Sequence, residues 1–88
     1  MLKILFVDDD AVARRNMAQR IDWNTLGWNL VYTARDGVDA LEYMKEEQPD
    51  IIISDIKMPI MDGIEMARIA RDYYPGLVFY LSFRLQRI

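Results

Sequence analysis

The sequence predicts an α/β protein: one small domain built on a parallel sheet with helices on both faces. Four short apolar runs, at 4–7, 30–33, 51–54 and 77–81, are rich in Ile, Val, Phe and Tyr and barely alternate. Strands buried on both faces read this way. The stretches between the runs carry helical spacing, so strand and helix alternate along the chain, the order expected of right-handed parallel units. The length, 88 residues, allows one domain and no more.

Each element has its own signals. The first run, Ile4-Leu5-Phe6-Val7, ends in Asp8-Asp9-Asp10. Asp10 is placed to cap a first helix in which Ala13, Met17 and Ile21 recur every four residues, with Arg14, Arg15 and Arg20 left for the wet side. The connection Ile21-Asp22-Trp23-Asn24-Thr25-Leu26-Gly27-Trp28 is longer than a minimal link, and its tryptophans are expected to pack over the edge of that helix. Asp36 caps a second helix whose apolar series is Val38, Leu41 and Met44, and Pro49 closes it before the third run. Asp62-Gly63-Ile64-Glu65 reads as a capping box opening a third helix. Ile64, Ala67, Ala70 and Tyr74 supply its apolar face, and Pro75-Gly76 stops it.

Composition excludes several function classes. There is no cysteine and no histidine, so disulfides, thiolate metal sites and the commonest general base are all absent. The net charge of −3 argues against general nucleic-acid binding, which relies on a basic face. Acids stop at Asp72 while Arg84 and Arg87 follow, a basic end more often solvated than a partner site. No apolar run is long enough for a signal peptide or a membrane span, so a cytoplasmic location is the expectation.

The carboxylates carry the chemistry. Asp8 and Asp9 follow the first run and Asp55 follows the third. In parallel α/β sheets ligands bind outside the carboxyl ends of the strands, where strand order reverses. If the first and third strands are neighbours, these three acids meet there. Their mutual repulsion calls for a cation, and hard oxygen ligands without histidine or cysteine favour Mg²⁺ or Mn²⁺. Aspartates after strands also serve simply as caps and turn formers, and Asp10, Asp36 and Asp62 fit that use. Met58, Met61, Tyr73, Tyr74 and Tyr80 read as packing, and Pro59 as a loop-fixing residue of either isomer.

Three segments, in order, resemble response-regulator receiver domains. Phe6-Val7-Asp8-Asp9-Asp10 resembles their acidic opening, and Ala34-Arg35-Asp36-Gly37-Val38-Asp39-Ala40-Leu41 their second-helix entry. Ile51-Ile52-Ile53-Ser54-Asp55-Ile56-Lys57-Met58-Pro59-Ile60-Met61-Asp62-Gly63 resembles their phosphorylation segment. The Trp23…Gly27-Trp28 stretch is similar to the subgroup whose receivers precede an AraC-like DNA-binding domain. The resemblance implies a flavodoxin-like fold and a phosphoryl group passed from a sensor histidine kinase to Asp55. It implies Mg²⁺ held by Asp8, Asp9, Asp55 and the main-chain carbonyl of Lys57, with Ser82 as the hydroxyl that senses the phosphoryl group.

The resemblance covers residues 1–82, with 83–88 expected as a tail outside the family pattern. Relative to the family the fold is expected to be incomplete, with four strands and three helices. The fifth strand, its lysine and aromatic switch, and the last two helices have no counterpart, and neither Lys57 nor Lys45 stands in for that lysine. The fourth strand is then expected to be an exposed edge that dimerises or swaps residues 77–88 with a second copy. Three functional classes follow: a phosphorylated receiver, a phosphorylation-incompetent fragment acting through dimerisation or partner binding, and a Mg²⁺-dependent phosphohydrolase. The last wants an acid two residues beyond its nucleophile, where Lys57 stands. The chain itself is expected to bind neither membrane nor nucleic acid.

Overall fold

The computed structural model describes residues 1–82. Four strands, β1 (Leu2–Val7), β2 (Trp28–Ala34), β3 (Ile51–Asp55) and β4 (Val78–Ser82), alternate with three helices, α1 (Ala11–Arg20), α2 (Gly37–Met44) and α3 (Gly63–Tyr73). All strand pairings are parallel and the sheet order is β2-β1-β3-β4. The chain first steps from β1 to β2, then crosses back over β1 to lay down β3. That reversal makes the gap between β1 and β3 the switch point. Ile4 pairs with Ile51 and Val7 with Ser54, so both strands end at the same level.

Side-chain alternation along the strands sorts the two faces. Leu5, Val7 and Ile52 meet Ala40 and Met44 of α2 and Met66 and Ala70 of α3 in one buried cluster completed by Ala34 and Leu77. Burying a side chain the size of Met66 or Ile52 contributes about 1.5–3 kcal/mol. On the other face Phe6, Ile53 and Tyr80 line a groove of about 630 Å³ together with Ala13, Met17 and Ile21. The expected apolar face of α1 is therefore the one turned to the sheet, half-buried rather than sealed.

The caps are where the sequence placed them. Asp10 accepts from the Val12 N–H at 2.9 Å, Asp36 from Asp39 at 2.7 Å and Asp62 from Glu65 at 2.8 Å. Trp23 is buried, donates its indole N–H to the Met17 carbonyl at the end of α1, and stacks with Trp28.

Three expectations need correction. Met44 is buried and Leu41 packs against the core as expected, but Val38 is exposed and α2 buries Gly37 and Ala40 in its place, because small residues let its backbone approach the sheet. In α3, Ile64 is exposed and Met66, absent from the expected face, is fully buried. Nor is β4 covered on both faces: Val78 and Tyr80 are 57% and 66% exposed. β4 lies at the sheet edge, where α3 covers one face while α1 lies over β1 and β2. Among the described residues no helix is long and apolar enough to cross a membrane. The tail 83–88, and with it the last part of the exchange expected for 77–88, lies outside the described residues.

Candidate functional site

The site forms where β1 and β3 end side by side. Asp8 directly follows β1 and Asp55 is the last residue of β3. Because the two strands are neighbours in register, Asp8, Asp9 and Asp55 each bring a carboxylate oxygen within 4.8 Å of the others. Asp8 and Asp55 are nearly buried, at 5% and 6% exposure, while Asp9 is open to solvent. Two buried carboxylates so close repel unless a cation joins them. Three hard oxygen donors, with one side open for water, fit Mg²⁺ rather than zinc.

The loop carrying Asp8 and Asp9 is pinned from several sides. The Asp8 N–H donates to the Ala34 carbonyl at 3.0 Å, continuing the β1–β2 ladder by one bond. The Asp8 carboxylate accepts from the Asp10 N–H at 2.9 Å. The Arg14 guanidinium donates to the Asp8 main-chain carbonyl at 2.7 Å. Arg14 is half-buried and bent back over the helix start, a correction to its expected place on the wet side. Helical side chains lean toward the N-terminus, which brings a long one at this position onto the loop.

The other wall is the β3–α3 loop. The Ile56 N–H donates to the Ser82 carbonyl at 2.9 Å, tying the loop to β4, and the Gly63 N–H donates to the Ile56 carbonyl at 2.7 Å. Ser54 is fully buried beneath the site and donates its hydroxyl to the Asp55 carbonyl at 2.9 Å. Ser82 is paired in register with Asp55 and is exposed. Lys57 is exposed in the loop two residues beyond Asp55. Among the described residues every peptide bond is trans, that before Pro59 included, and Ile60 takes a positive φ of 71° beyond it. The Met61 N–H bonds to the Pro59 carbonyl across Ile60, closing a three-residue turn. Met58 and Met61 pack against the core cluster.

The structure thus brings together Asp8, Asp9 and Asp55 and sets Ser82 on the strand beside them. Sequence reasoning missed Ser54 and Arg14 as neighbours of the site. A hydroxyl inside the apolar run 51–54 was the one available signal for Ser54. For Arg14 there was none, because it follows from the path of the loop.

Fold and site together define a doubly wound α/β domain with an acidic pocket at its switch point. The chain belongs to the response-regulator receiver family: the response regulator receiver domain matches residues 4–83. It is 35% identical over 83 residues to an uncharacterized response regulatory protein of Staphylococcus epidermidis, covering 94% of this chain and 33% of that protein. The chain therefore spans about a third of the length of that curated relative. A two component transcriptional regulator AraC from Clostridium phytofermentans superposes with a TM-score of 0.87 at 29% identity, over 98% of this chain and 69% of that one. That likeness agrees with the subgroup suggested by the tryptophan segment. A chain of the CheX-CheY-BeF3-Mg complex from Borrelia burgdorferi superposes at 0.81 with 27% identity, over 98% of this chain and 64% of that one. These superpositions accord with the flavodoxin-like, four-stranded parallel architecture.

Proposed function

We propose that this chain is the receiver module of a two-component response regulator, in which Asp55 accepts a phosphoryl group from the phosphohistidine of a sensor kinase. The observation that carries the reading is the convergence of Asp8, Asp9 and Asp55 at the switch point. A carboxylate oxygen of Asp55 attacks phosphorus, the phosphorus–nitrogen bond breaks, and its electron pair returns to the imidazole. Asp8, Asp9, Asp55 and the Lys57 main-chain carbonyl would hold Mg²⁺. The chemistry such a cation would supply there is screening of the phosphoryl oxygens from the attacking Asp55 carboxylate. The related Borrelia complex contains BeF3 and Mg, the same pairing of a phosphoryl-shaped group with this cation. Ser82, across the strand pair from Asp55, turns its hydroxyl to the phosphoryl oxygens. In a longer regulator the module would govern an AraC-like DNA-binding domain in the cytoplasm.

The test is incubation with Mg²⁺ and acetyl phosphate beside Asp55→Asn, read by intact mass. A phosphate adduct on the parent alone is expected. No adduct on a parent that circular dichroism shows to be folded would refute the reading.

The exposure of Val78 and Tyr80 on the edge strand favours a second reading, in which the chain works by pairing with a second copy and needs no phosphoryl transfer. Sedimentation equilibrium separates the two: a monomer at all concentrations removes this one.

A further inference from the structure

The geometry points to Arg14 as a positioning residue that aims the Asp9 carboxylate at the cation; this rests on the acidic pocket being a metal site. Asp8, the residue just after β1, still donates its N–H into the sheet, to the Ala34 carbonyl. Its own carbonyl is met by the Arg14 guanidinium at 2.7 Å. A buried carbonyl at a strand end needs a donor, and here a charged fork from α1 supplies one. The carbonyl of Asp8 and the N–H of Asp9 belong to one planar peptide unit. Holding that oxygen therefore sets the tilt of the Asp9 amide, and with it the direction in which the Asp9 side chain leaves the backbone.

The loop is anchored on either side of this peptide unit. The Asp8 N–H is held by Ala34, and the Asp8 carboxylate by the Asp10 N–H. Asp10 is in turn fixed as the cap of α1 through Val12. Asp9, the exposed member of the cluster, stands between these two anchored residues. Arg15, the next residue along α1, is exposed, which makes it the matched control.

The sign of the effect separates positioning from charge. Removing a cation near a divalent ion strengthens ion binding by Coulomb's law alone. Weaker binding without Arg14 therefore reads the loosened peptide plane. The probe is Mn²⁺ by itself, titrated into the full chain and followed by the electron paramagnetic resonance signal of the free ion. Arg14→Met is expected to raise the Mn²⁺ dissociation constant about tenfold, the lower end for contacts that orient a ligand. Arg15→Met is expected to leave it unchanged or slightly lower, with circular dichroism confirming that all three proteins are folded at the titration temperature.

Arg14→Gln is the second variant should Arg14→Met fold poorly. It is too short to reach back over the first turn, so the same weakening is expected. A parent that binds Mn²⁺ while both Arg14 variants bind as tightly or more tightly overturns the role of Arg14 and leaves the metal site standing. A parent that does not bind Mn²⁺ at all overturns the metal site and the role of Arg14 with it.

Discussion

Gly63 shows how far a single residue can control this site. A Cβ there would lie 2.5 Å from the Asp55 carbonyl oxygen and 3.1 Å from the Ile56 Cα. Backbone cannot swing aside as a side-chain end can, so α3 can begin this close to Asp55 only at a glycine. Gly63→Ala is expected to lower stability by about 1–3 kcal/mol, the range for overpacking. It should also strain the bond from the Gly63 N–H to the Ile56 carbonyl. Urea denaturation measures the first effect, and a variant as stable as the parent would show that the helix start has room to move. Gly37 is a milder case, because the nearest atom to its added Cβ is the flexible Met61 sulfur at 2.8 Å. Ile60, 93% exposed at a positive φ, holds a conformation that a β-branched residue adopts only under strain.

At the scale of elements, α2 is locked to β2 by paired tyrosines. Tyr32 and Tyr43 stack with centroids 4.3 Å apart, Tyr32 donates to Asp39, and Tyr43 donates to Glu47. Glu47 in turn meets Lys3 of β1 at 3.1 Å. Burial, assisted by the hydrogen bond to Glu47, pushes the Tyr43 phenol up to about 12 from 10.0. The folded chain thus holds this proton more tightly than the unfolded one. Its contribution to stability is complete below pH 10 and is lost as pH rises toward about 12. Tyr43→Phe has no such proton, so the stability of the parent relative to the variant should fall across that window. Denaturation at both ends of the window measures it, and a constant difference would mean that the phenol titrates alike in both states.

For the whole molecule, the crossover from β2 to β3 matters most. Had β3 been laid beyond β2, Asp55 would lie two strands from Asp8 and no shared pocket could form. The same order leaves β4 at the edge, with Val78 and Tyr80 exposed. Such strands offer main-chain bonds and apolar surface to a second copy, and lysine on an edge blunts that tendency. Tyr80→Lys is therefore expected to shift the chain toward monomer. Sedimentation equilibrium of both proteins over a concentration series checks it, and equal association would place any contact elsewhere.

The sequence by itself determined the strand and helix order, the three aspartate caps and the acids that end β1 and β3. These depend on local chemistry: strand runs buried on both faces, and short side chains that reach their own helix start. Tertiary structure decided which helix faces are buried. In α2 both the series Val38, Leu41, Met44 and the series Gly37, Ala40, Met44 have helical spacing, and only close approach to the sheet selects the smaller residues. It also decided that Arg14 reaches the Asp8 carbonyl and that Tyr74 reaches the Met44 carbonyl. Such contacts depend on where the chain turns in space, and residue spacing carries no record of that.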